Sequence, residues 1–144
     1  MELRARLRFR GRWGGTKPYM RKVRLAGELR SAIEARRLVE DELGRAGAGE
    51  DTMLHTQLVV TELVTNAARH AQTPVELTIA TAVGRVRIEA RDGSAATLTP
   101  HVDTPTRHRG LQRIEDLSDG WGVEAQDAGG KVVWCELPSR GIAR

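Results

Sequence analysis

The feature that most constrains this chain is a change of period along it. From about Leu25 to Ala71 apolar residues recur at helical spacing, and from Val75 to Leu137 they mostly alternate with polar ones. Residues three and four apart share one face of a helix, whereas residues two apart share one face of a strand. Leu25, Leu29, Ala32, Val39 and Leu43 make the first helical face, and Arg36 interrupts it as a candidate internal salt bridge. Gly44 to Gly49 is a turn, and Asp51 or Thr52 can cap a second helix. Val75, Leu77, Ile79 and Thr81, then Val86, Ile88 and Ala90, alternate on either side of Val83-Gly84-Arg85, which predicts a β-hairpin. Trp121 to Ala125 and Lys131 to Leu137, joined by Asp127-Ala128-Gly129-Gly130, predict another. Between the hairpins lies a polar segment, residues 93–109, with Pro100 and Pro105. A connection this long inside a compact domain is usually functional or mobile. Leu111, Ile114 and Leu117 then predict a short helix that stops at Asp119-Gly120.

A chain of 144 residues fits one domain with a single core. Aromatic residues make up only 3%, so aliphatic side chains and alanine must fill that core. No apolar run approaches the ~20 residues of a membrane-spanning helix. The first residues alternate instead of forming a continuous apolar stretch, so no signal peptide is evident. The one cysteine, Cys135, excludes an internal disulfide framework and reads as a buried thiol in a strand. Together these features favour a cytoplasmic protein and no membrane partner.

The charge is segregated. Residues 1–24 carry seven arginines and two lysines against one glutamate, a net of +8; the whole chain is +4, so residues 25–144 carry −4. The expected organisation is therefore a basic arm, 1–24, and a mildly acidic body, 25–144. Basic arms bind nucleic acid or acidic partners, and the arm is the one feature that hints at nucleic acid. The body's own acidic surface is an equally allowed partner. Leu3, Ala5, Leu7 and Phe9 alternate with Arg4, Arg6, Arg8 and Arg10. That pattern predicts a strand over 3–10 that adds to a sheet edge, in the same molecule or across a homodimer. Gly11 to Pro18 breaks any regular element after it.

Within the second helix stands Thr61-Glu62-Leu63-Val64-Thr65-Asn66-Ala67-Ala68-Arg69-His70-Ala71. At about 100° per residue Val60, Val64, Ala67 and Ala68 fall on one side. Glu62, Asn66 and Arg69 fall on the other, with His70 at its flank. Residues four apart are neighbours, so Glu62 and Asn66 are expected to share one exposed surface. The pair suits a hydrated metal ion and a phosphate chain, because an Asn oxygen is a neutral hard ligand for Mg²⁺ and a Glu can accept a proton. By itself the pair is equally compatible with an ordinary solvated face.

The full string is more specific. It resembles the N box of the GHKL ATPase superfamily, and its wording is similar to the small bacterial branch related to anti-sigma-factor serine/threonine kinases. The resemblance runs from about Leu25 to Leu137. It implies an α+β fold: a two-layer α/β sandwich with a mostly antiparallel sheet under the helices. It also implies ATP and Mg²⁺ as cofactors. Asn66 would ligate Mg²⁺, Glu62 would orient or deprotonate the substrate hydroxyl, and Arg69 and His70 would line the nucleotide. Asp92 would accept a hydrogen bond from the adenine amino group, although Asp-Gly is also an ordinary turn.

Two boxes depart from the family's pattern. Where it has D-x-G-x-G, this chain has Asp92-Gly93-Ser94-Ala95-Ala96, with Ser94 and Ala96 in place of glycines. Arg107-His108-Arg109-Gly110-Leu111 resembles the second glycine box, G-x-G-L, whose amides meet phosphate at a helix start. Gly110 and Leu111 match, and His108 replaces the first glycine. Arg107 and Arg109 would contact phosphate or remain solvated loop charge. The chain has no zinc-spaced Cys/His cluster, no P-loop lysine motif and no phosphoacceptor-histidine helix pair. The last argues against a complete histidine kinase. Two function classes follow from the resemblance. One is a serine/threonine kinase acting on an anti-sigma-factor antagonist. The other is a catalytically weak or inactive module that sequesters a sigma factor or another regulator.

Overall fold

The computed structural model of the protein describes residues 18–70, 73–93, 112–127, 129–139 and 141–142; of His70 it describes the backbone alone. The elements are β1 (Tyr19–Leu25), α1 (Ser31–Ala46), α2 (Glu50–His70), β2 (Val75–Ala82), β3 (Arg85–Asp92), a short helix α3 (112–117), β4 (Gly120–Ala125) and β5 (Lys131–Pro138). The strands form one sheet in the order β1-β2-β3-β5-β4, every neighbouring pair antiparallel. The expected two-layer α+β architecture is therefore what the structure shows, with the helices on one face of the sheet. No helix among the described residues is long and apolar enough to cross a membrane.

The core lies between the layers. Val39 and Leu43 of α1 and Val59, Val60 and Val64 of α2 pack with Leu77, Ile79, Ile88 and Cys135 of the sheet. Each buried aliphatic side chain contributes roughly 1.5–3 kcal/mol. The predicted alternation of β2, β3 and β5 is the sheet's register. Ile79 stands opposite Ile88, and Ile88 opposite Cys135, all facing the helices. The other face is not simply polar. Thr78, Ala80, Arg87, Glu89 and Val132 are buried there too, so β2 and β3 are covered on both sides.

Three boundaries differ from the sequence reading. The segment Tyr19–Leu25, assigned to the arm, is the edge strand β1, paired with β2 from Tyr19↔Thr81 to Leu25↔Val75. Arg21 reaches the buried carboxylate of Glu42 at 2.8 Å, and Arg45 of α1 reaches it at 2.6 Å. Arg45 also stacks over the Tyr19 ring at 3.8 Å. These contacts attach the strand to α1, so the folded body begins by Tyr19 and not at Leu25. The first helix starts at Ser31. Leu25 ends a strand and Leu29 is exposed, because the chain turns at Gly27. There φ is +78°, and a Cβ would lie 2.0 Å from the Thr73 carbonyl oxygen, so only glycine fits. Arg36 donates a hydrogen bond to Thr61 at 3.2 Å and makes no ion pair among the described residues. In α2, Asp51 and Thr52 lie inside the first turn, and the Gly49 carbonyl accepts the Met53 amide at 3.0 Å. Residues 3–10 lie outside the described residues.

Candidate functional site

The long helix α2 crosses the sheet near the ends of β3 and β5 and presents Leu63, Asn66 and Ala67 to Ala90 and Asp92 of β3 and to Lys131 and Val133 of β5. These seven residues enclose a cavity of about 10 Å³, room for about one water. Asn66 is not on an exposed surface, as the helical wheel suggests. It is 7% exposed and turned toward the sheet. The apolar stripe of α2 is wide, since Val59, Val60, Leu63, Val64, Ala67 and Ala68 are all buried. Asn66 lies at its margin, where the stripe meets the strand ends. Among the described residues its buried carboxamide nitrogen has no hydrogen-bond partner, although buried amides are normally satisfied. That orphaned group suits a ligand, because a carboxamide can turn either its oxygen or its nitrogen toward one. Among the described residues no cluster of three His, Cys, Asp or Glu side chains accompanies it. A magnesium ion held by Asn66 would complete its shell with phosphate oxygens and waters, as Mg²⁺ commonly does.

Asp92 is the second wall of the cavity and is buried. It does not stand alone. The Lys131 ammonium donates to both carboxylate oxygens, at 3.2 and 3.0 Å, with the two side chains only 7% and 3% exposed. The two residues are direct cross-strand partners, and both point to the helical layer. The rim is tightly built. The Gly93 amide donates to Thr73 Oγ1 at 2.9 Å. Gly130, at φ +89°, approaches the Asp92 carbonyl so closely that a Cβ would stand 2.3 Å from it.

Glu62, one turn before Asn66, opens onto a different surface. It lines a groove of about 270 Å³ with Arg36, Leu54, Gln57, Leu58, Thr61 and Arg113. Its carboxylate is 19% exposed and accepts a hydrogen bond from the guanidinium of Arg113 on α3. Glu62 and Asn66 therefore line two separate openings one turn apart on α2, one wet and one nearly closed. Arg69 is exposed. The side chain of His70, and Ser94, Arg107, His108, Arg109, Gly110 and Leu111, lie outside the described residues.

Of the residues singled out in the sequence, the structure brings Asn66 and Asp92 to one cavity and places Glu62 on a separate groove. Sequence reasoning missed the cations on both carboxylates, Arg113 and Lys131. The parity of β5 held the signal for the second, since Lys131 is in phase with the inward-facing Val133 and Cys135. A lysine there needs a buried anion, and the strand partner supplies one.

Residues 25–136, from the last residue of β1 to Glu136 within β5, match the family model of the histidine kinase-like ATPase domain. Among curated proteins there is no significant match.

Proposed function

Because this chain belongs to the histidine kinase-like ATPase family, we propose that it binds ATP with Mg²⁺ and transfers the terminal phosphoryl group to a serine or threonine of a small regulatory protein, of the anti-sigma-factor-antagonist kind. The observation that carries this reading is the division of α2: Glu62 opens onto a groove, and Asn66, one turn later, meets Asp92 at the sheet. A hydroxyl entering the groove can place its proton within reach of Glu62. The carboxylate accepts that proton as the hydroxyl oxygen bonds to phosphorus and the nucleoside diphosphate leaves. Arg113 holds Glu62 in place, and its exposed guanidinium can turn to a phosphate oxygen. Bound Mg²⁺ would neutralise phosphate charge, which is the larger part of such catalysis.

A second reading is favoured by the same two cations and by the altered glycine boxes. Arg113 and Lys131 occupy the carboxylates that should serve the hydroxyl and the base. A chain in that state would hold nucleotide weakly and act by sequestering a sigma factor or another regulator. Glu62→Gln separates the readings, since it keeps shape and removes the base. With ATP·Mg²⁺ and an anti-sigma-factor antagonist as acceptor, the variant should bind nucleotide within about twofold of wild type and transfer phosphoryl at least ~100-fold more slowly. Transfer at the wild-type rate would rule out Glu62 as the base. No transfer by the wild-type protein at saturating ATP would leave the sequestering module.

A further inference from the structure

We infer that Lys131 is a displaceable plug in the nucleobase pocket: its ammonium competes with the incoming base for Asp92 and so sets the affinity for nucleotide. This rests on the nucleotide-site reading above and extends it to a residue that the resemblance does not supply.

The cavity beside Asp92 holds about 10 Å³, whereas a purine ring displaces many times the volume of the one water this admits. Something in the wall must move before a base can enter this cavity; the roomier one of about 390 Å³ that Asp92 also lines does not include Asn66 or Lys131. Leu63 and Ala67 on the last turns of α2 and Ala90 and Val133 within paired strands belong to the packed core, and Asn66 is a short side chain on the same helix. Asp92 is fixed by Gly130 on its carbonyl and by the Gly93–Thr73 hydrogen bond that follows it. Lys131 is the exception. It opens β5, beside the Gly129-Gly130 turn, and four methylenes carry its charged group into the pocket.

Chemistry explains why it rests there. A carboxylate buried among Leu63, Ala67, Ala90 and Val133 would be costly without a counter-charge. Lys131 supplies that charge and meets both oxygens. An amino group on a base is neutral, so its N–H donors make weaker contacts with a carboxylate than an ammonium does. Nucleotide must therefore replace a charged contact with a neutral one, and affinity is reduced by the free energy of withdrawing the lysine. Phosphate contacts elsewhere on the same ligand would have to supply the difference.

Two measurements test this. In the wild-type protein, acylation of Lys131 by an amine-specific anhydride, followed by peptide mass spectrometry, should be slow and should rise at least fivefold at saturating ATP. An ordinary wall lysine would instead be protected by ligand, so unchanged or reduced labelling at saturation overturns the inference. In parallel, Lys131→Ala should tighten ATP binding about tenfold in calorimetry, and Lys131→Gln, which keeps a donor and most of the volume, should tighten it less. Equal or weaker binding by a folded Lys131→Ala also overturns it, and if that variant does not fold, labelling of the wild-type protein decides. Loss of the parent reading looks different. Neither wild type nor variants would bind ATP at millimolar concentration, and the plug would fall with the site.

Discussion

At the scale of single residues, the pairings that matter here are those that spacing along the chain cannot show. The one-turn spacing of Glu62 and Asn66 was legible, but not the surface each meets: Glu62 opens onto a groove and Asn66 is buried against the sheet. Lys131 meets Asp92 across 39 positions and Arg113 meets Glu62 across 51, so the fold and not local spacing brings each pair together. Cys135 was legible from its strand, and its burial has a consequence for pH. Desolvation pushes the thiol pKa well above its ordinary 9.0. Above that value the unfolded thiol ionises while the folded one keeps its proton. The native state then binds more protons, so stability is fully present below pH 9.0 and falls as pH rises toward the folded-state pKa. The slope from this group approaches about 1.4 kcal/mol per pH unit. Urea titrations between pH 8 and about 10.5 should show Cys135→Ala losing less stability with pH than wild type. Parallel curves would remove the thiol from the account.

At the scale of elements, the sheet's second face is the larger surprise. Alternation in β2, β3 and β5 predicts one apolar and one polar face, yet Arg87 is only 2% exposed. It pairs with Glu89 and Glu136 at 2.9 Å and lies 4.5 Å from the Trp134 ring. Burial lowers the Arg87 pKa and both carboxylates oppose that shift, so the guanidinium stays charged. Trp134 joins this face instead of the main core, over Gly122, where a Cβ would come within 2.9 Å of the indole. Removing the cation takes a buried counter-charge from Glu89 and from Glu136, which keeps its ion pair with Arg85. Arg87→Met should therefore cost about 3–5 kcal/mol in urea unfolding, and Arg87→Lys should recover only part of it, because an ammonium lacks the planar fork. A loss under about 1 kcal/mol would show that the network is no more than a surface pair. The two hairpins were readable because their turns and periods agree. The strand β1 was not, because Arg21, Lys22 and Arg24 make it look like part of a charged arm. Its stability comes from Val75–Thr81 and Glu42, which are remote in sequence.

At the scale of the whole molecule, the site joins the two layers. Asn66 belongs to the helical layer, Asp92 and Lys131 to the sheet. A ligand held by both must resist their separation, so nucleotide binding should raise the unfolding temperature and do so in proportion to the logarithm of its concentration. At a hundred times Kd the gain is about 2.7 kcal/mol, which for a domain of this size corresponds to a shift of roughly 5–10 °C. The part of that shift that needs Mg²⁺ should pass through Asn66, whose buried carboxamide nitrogen has no partner among the described residues. Melting curves with ATP, with and without Mg²⁺, should show the Mg²⁺-dependent increment in wild type and its loss in Asn66→Ala, while the increment from ATP alone persists. An Asn66→Ala protein that keeps the full Mg²⁺ increment would move the ion away from α2. The cavity would then be a place for the base alone.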